Sequence, residues 1–114
     1  MPELSITEIE DDLRLLPKQV HDAGVEVVKA TKALDLIQNQ IEIDKAKERI
    51  EHAHEDFLSA KMVESYATIA TKELTAQLVE LKNELEVKKL AHKLLDDKLL
   101  SVKKIANLRN IYNA

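Results

Sequence analysis

Apolar side chains recur along this chain in alternating steps of three and four residues, the spacing of a helix that buries one face, and not at every second residue as in a strand. From Val20 onward, Val27, Leu34 and Ile41 fall seven apart with Ala30 and Ile37 between them, forming a heptad seam. A second row, Leu36, Ile43, Ile50 and Phe57, also steps by seven, beside Ala46, Ala53 and Ala60. The apolar face therefore broadens midway, as a stutter or contact with two neighbours would make it do. The pattern restarts with Leu74, Leu78, Leu81 and Leu85 and continues through Leu90, Leu94 or Leu95, Leu99, Val102, Ile105 or Ala106, Leu108 and Tyr112.

Boundaries follow from local chemistry. Ser5 with Glu8, and Thr7 with Glu10, are overlapping capping boxes that would start a helix. That helix carries Ile6, Ile9, Leu13 and Leu16, and Pro17 predicts its end, because proline disfavours α geometry in the residue before it. Pro17 then suits the first turn of a second helix. In the stretch from Phe57 to Glu73 the register is lost, and Ser59, Ser65, Thr68 and Thr71 supply hydroxyls able to cap new helices. The expected architecture is a single all-α domain: a short N-terminal helix over 1–16, a first long arm over 18–58, a break over 59–70 and a second arm over 71–113. The arms are similar in length, roughly 60 Å each at about 1.5 Å per residue, which suits a long antiparallel helical hairpin, a coiled coil, the alternative being one continuous rod of about twice that length. Two helices with apolar residues on more than one face cannot cover them alone, so a homo-oligomer is expected. Its seam would use Val27, Leu34, Ile41, Ile50, Phe57, Leu74, Leu78, Leu81, Leu85, Leu99 and Ile105. Gly24 lies inside the first arm, where its missing side chain would let another helix approach closely.

Composition agrees with long helices. In 114 residues there are one Gly, two Pro and no Cys, aromatics are 3% and charged residues 33%. The absence of cysteine argues against a disulfide framework and a thiolate zinc site and leaves a reducing compartment, the cytoplasm, as the expected location. No run of about 18 apolar residues occurs, and the start is acidic where a signal peptide is basic, so neither a membrane span nor export is expected.

Charge is distributed unevenly. The formal net charge is −4. Residues 1–16 carry Glu3, Glu8, Glu10, Asp11 and Asp12 against Arg14, a balance of −4, whereas 98–114 carry Lys98, Lys103, Lys104 and Arg109 with no acid, a balance of +4. That acid-free basic segment is the first candidate for binding a polyanion, or the acidic helix of a neighbouring subunit. Lys45, Lys47 and Arg49 form a second basic group, diluted by Glu42, Asp44, Glu48 and Glu51 into an ion-pair surface. Lys88, Lys89 and Lys93 read as solvated.

Catalysis has no foothold: the chain has no Gly-rich phosphate loop, no nucleophile with a placed base and no sheet from which to build a cleft. His52 and His54 are two apart, about 200° around a helix, where a metal pair needs three or four. Glu48 and His52 do share a face, but on a helix so rich in charge the ordinary reading is solvation. No enzyme activity, cofactor or metal is expected.

The stretch Val102-Lys103-Lys104-Ile105-Ala106-Asn107-Leu108-Arg109 resembles the C-terminal segment of the UvsY-type recombination mediators of T-even phages. The layout of acidic helix, long arm, polar break and second arm is similar over most of the chain. The resemblance implies a ring-like homo-oligomer that binds single-stranded DNA and helps load a recombinase onto strands covered by single-strand-binding protein. It implies Lys103, Lys104 and Arg109 as the carried-over DNA contacts. Where those mediators have a Lys-Ala-Arg triplet late in the first arm, this chain has His52-Ala53-His54, which would make any contact there weak or dependent on pH. The alternative from another class is a scaffolding coiled coil with no nucleic-acid role.

Overall fold

The computed structural model describes residues 5–53 and 59–109. Helix α1 spans Ile6–His52, α2 Ala60–Ala70 and α3 Lys72–Leu108, and no strand occurs among the described residues. The first capping box forms as the sequence predicts. Glu8 N–H donates to Ser5 Oγ and Ser5 N–H donates to Glu8 Oε2, both at 3.1 Å.

The predicted short helix over 1–16 is corrected: α1 runs without interruption through Pro17. An interior proline forfeits a backbone hydrogen bond and costs about 3 kcal/mol. Packing outweighs that cost. Ile9 and Leu16, seven residues apart on one face of the helix, are 0% and 1% exposed, and burying each such side chain contributes roughly 1.5–3 kcal/mol. Pro17 itself stays exposed, so its ring meets solvent and not a neighbouring helix. Pro17→Ala is therefore expected to stabilise the chain by about 1–3 kcal/mol, read as a higher melting temperature by circular dichroism. A lower melting temperature would mean that the proline geometry is required.

The predicted break over 59–70 is corrected too, because most of it is α2. Ser59 is its N-cap, accepting from Met62 N–H at 3.2 Å. Ser65 and Thr68 do not cap new helices but donate back to the carbonyls of Lys61 and Glu64, at 3.0 and 2.9 Å. Thr71 interrupts the path between α2 and α3 for a single residue. It is 1% exposed, and its hydroxyl donates to Ala67 O at 2.9 Å. Thr75 repeats the pattern onto Thr71 O, also at 2.9 Å. Such back-bonding competes with the regular helix ladder and bends helices. The first arm is helical only to His52, and residues 54–58, which include Phe57 of the predicted seam, lie outside the described residues.

The chain divides into two compact units, one containing the residues up to Lys29 together with those from Glu86 onward, the other Ala30–Leu85. In the first, Ile9, Leu16, Leu99, Val102 and Ala106 form one buried cluster, with Leu13, Val20, Leu95 and Ile105 packed against it. Further along the same unit, a Cβ on Gly24 would meet His92 Nε2 at 3.4 Å, and Lys88 Nζ lies 3.5 Å from Glu26 Oε2. A Cβ at Gly24 would thus be in ordinary van der Waals contact with the imidazole carried by α3, so the close approach does not require glycine. In the second unit Ile41, Ala67, Thr71 and Leu85 are buried, while Leu34, Leu74, Leu78 and Leu81 are half-buried.

Of the expected oligomer seam, Ile41, Leu85 and Leu99 are buried within the chain itself, and Val27, Leu34, Leu74, Leu78, Leu81 and Ile105 are half-buried. The second row is turned outward: Leu36 and Ile50 are 70% and 71% exposed, and Ile43 is exposed as well. So are Val87, Leu90, Leu94 and Leu108 on α3.

Candidate nucleic-acid interface

The candidate site is the C-terminal part of α3. Val102 and Ala106 are buried one helical turn apart, and together with Leu99 they fix the rotation of the helix. Lys98, Lys103 and Lys104 consequently stand exposed around that anchor. Arg109 follows the last helical residue, its N–H donating to Ile105 O at 3.1 Å, and its side chain is exposed. Lys103 and Lys104 line an open concavity with Asp97, Leu100, Ser101 and Asn107. Two ammonium groups, a hydroxyl and an amide are donors suited to phosphate oxygens, with Asp97 opposing them at one edge.

The sequence separates the acidic and basic ends by most of the chain, but the cluster of Ile9, Leu16, Leu99, Val102 and Ala106 joins them within one unit. Glu8 and Glu10 flank Ile9 on the exposed side, and Asp12 is half-buried next to Leu13. The acidic and basic segments, far apart along the chain, therefore lie on helices that share a core. Asp11 pairs locally with Arg14 at 3.1 Å.

In the second basic group, Arg49 is engaged by α2. Arg49 makes a two-pronged pair with Glu64 of α2, Nε to Oε1 at 2.6 Å and Nη2 to Oε2 at 3.1 Å. This hydrogen bond raises the Arg49 pKa and holds the Glu64 carboxyl below its ordinary range. Lys45 is half-buried beside a hollow lined by Gln38, Asn39, Ile41, Glu42, Thr75 and Leu78. Lys47 is exposed. The partner of Arg49 is thus Glu64 of α2 and not one of the acids that surround it in the sequence. Lys88 and Lys89 likewise meet Glu26 and Glu86, at 3.5 and 3.7 Å. Lys29, and then Lys88, hold the Glu26 carboxyl below its ordinary value. The stabilisation from Glu26 and Glu64 is present above the normal carboxylate range and is lost as pH falls through their lowered folded values. Both are solvent-exposed, so the contribution is small.

Sequence reasoning missed the environment of His52. Its ring stacks on Tyr66, with centroids 4.7 Å apart and planes at 19°, and its Nε2 lies 3.3 Å from Glu48 Oε2. The shared face of Glu48 and His52 was visible from their spacing; Tyr66 was not, because α2 had been read as a break. His54 lies outside the described residues. Among the described residues no group of three His, Cys, Asp or Glu could hold a metal ion, and no helix is long and apolar enough to cross a membrane.

Of the family models, curated proteins and solved structures compared with it, none matches this chain.

Proposed function

We propose that this protein is a non-enzymatic helical hairpin that self-associates and binds single-stranded DNA through the C-terminal face of α3. In this role it serves as a cytoplasmic recombination mediator of the UvsY type, helping to load a recombinase onto strands held by single-strand-binding protein. The observation that carries it is the exposure of Lys98, Lys103 and Lys104 around the buried Val102 and Ala106, on the same stretch that bears the resemblance. Two arms running in opposite directions are supported by the contacts of the first unit: Ile9 and Leu16 share a core with Leu99, Val102 and Ala106, then Gly24 meets His92, then Glu26 meets Lys88. Advance along α1 accompanies retreat along α3.

Self-association is supported by the outward aliphatic side chains, Leu36, Ile43 and Ile50 on α1 and Val87, Leu90, Leu94 and Leu108 on α3. Leu36, Ile43 and Ile50 recur every seven residues on one helix, and an exposed apolar stripe of that kind marks an interaction site. The same feature favours the second reading, a scaffolding coiled coil that binds no nucleic acid.

Salt separates the two. Binding to an unstructured oligothymidylate should weaken as salt rises, with a log-log slope of about −2 to −3 for three or four phosphate contacts at about −0.7 each. Sedimentation should meanwhile give a species larger than one chain at every salt concentration, because apolar association resists salt. An assembled protein with no affinity for the oligonucleotide would select the scaffold; a stable helical monomer would remove the basis of both readings.

A further inference from the structure

We infer that the first turns of α1 act as a built-in electrostatic brake on the basic end of α3, so that Glu10 and Asp12 weaken polyanion binding at Lys98 and Lys103. This rests on the proposed DNA-binding role of that end. The geometry comes from the buried cluster that clamps Ile9, Leu13 and Leu16 to Leu99, Val102 and Ala106. Packed helices lie about 8–10 Å apart. At about 100° per residue, Lys98 and Lys103 flank the buried seam of α3 on its two sides while Lys104 lies on the far side. The first two are therefore the lysines within about one Debye length of α1, roughly 10 Å at 0.1 M salt. Glu10 is exposed and Asp12 half-buried beside Leu13, while Lys98 and Lys103 are exposed next to Leu99 and Val102. An arriving phosphate therefore meets the field of the lysines reduced by these carboxylates.

The acids of this segment differ in what else they do. Glu8 is fixed by its reciprocal hydrogen bonds with Ser5, and Asp11 is paired with Arg14. Both have a local structural role that accounts for them. All acids in a first turn also favour the positive end of the helix dipole. That role concerns helix stability alone and predicts no change in ligand affinity when Glu10 and Asp12 are neutralised. The brake predicts tighter binding even though the helix end is slightly weakened.

The test is the full chain carrying Glu10→Gln and Asp12→Asn, compared with the parent and with a control of equal charge change, Asp22→Asn with Asp35→Asn. Affinity for oligothymidylate would be measured by fluorescence anisotropy at about 50 mM and about 500 mM salt. The Glu10 and Asp12 variant should bind roughly threefold or more tightly at low salt, with the advantage vanishing at high salt, while the control should gain less. Glu10→Gln alone, at an exposed position that folding does not need, should give part of the gain. Binding unmasked in the variant when the parent binds none would also support the brake. Equal gains in variant and control, or a parent that binds while the variant is no tighter, would overturn the brake alone. If neither parent nor variant bound, the DNA-binding reading would fall with it.

Discussion

Replacing Lys103, Lys104 and Arg109 together by alanine is expected to reduce single-strand affinity by on the order of a hundredfold or more at about 50 mM salt. Each single-strand phosphate contact releases about 0.7 of a counterion. Loss of three contacts should therefore flatten the salt slope by about two, and the parent and variant curves should converge as salt rises. Helicity and subunit number should not change, because the buried stripe at this end consists of Leu99, Val102 and Ala106 and includes none of the three substituted residues. Stacking cannot substitute for the lost charge on the described part of the face, whose polar partners are Ser101, Asn107 and Asp97. Binding should thus show little preference among bases. Anisotropy titrations at several salt concentrations, with circular dichroism and sedimentation on the same samples, check all of this. Parent-like affinity and slope in the triple variant would remove α3's C-terminal face as the site.

Arg49 offers a contrast within the same protein. It looks equally cationic in the sequence, yet its guanidinium is held by two oxygens of Glu64. Binding phosphate there would first require breaking a charge-assisted, two-pronged pair. Both Arg49 and Lys103 face solvent, and the difference between them is the pair with Glu64 that α2 supplies to Arg49.

That difference also marks what could be read from sequence. The three-four stripes containing Val27, Leu34 and Ile41, and Leu74, Leu78, Leu81 and Leu85, are properties of single helices, and periodicity reports them directly. The Ser5 and Glu8 cap is equally local. Pro17 and the hydroxyl-rich segment were misread for one reason: propensity describes what a segment prefers alone, and tertiary packing overrides it. Nothing near Pro17 in the sequence announces that Leu16 will meet Leu99, Val102 and Ala106. Likewise, Ser65 and Thr68 look like caps until their hydroxyls are seen bonded to the preceding turn of their own helix. The opposed charges of the two ends were legible, but their meeting in one unit was not, since that depends on the same long-range cluster.

Leu16→Ala should show how much rests on that cluster. The side chain is 1% exposed, and truncating a fully buried leucine costs about 2–5 kcal/mol, a large share of the 5–15 kcal/mol that stabilises a typical domain. For a chain of 114 residues this corresponds to a melting temperature lower by roughly 10–20 °C. The position makes the effect larger than a cavity alone, because Leu16 immediately precedes Pro17 and its packing offsets the proline's cost. Weakened there, α1 should fray from Ser5 to Pro17, and hydrogen exchange should show those amides losing protection before the rest of the helix. Leu15 is the internal comparison, since it is half exposed and its truncation should cost about 0.5 kcal/mol or less. Equal losses for Leu15→Ala and Leu16→Ala, or unchanged protection of the first turns in Leu16→Ala, would show that something other than this cluster carries α1 through its proline.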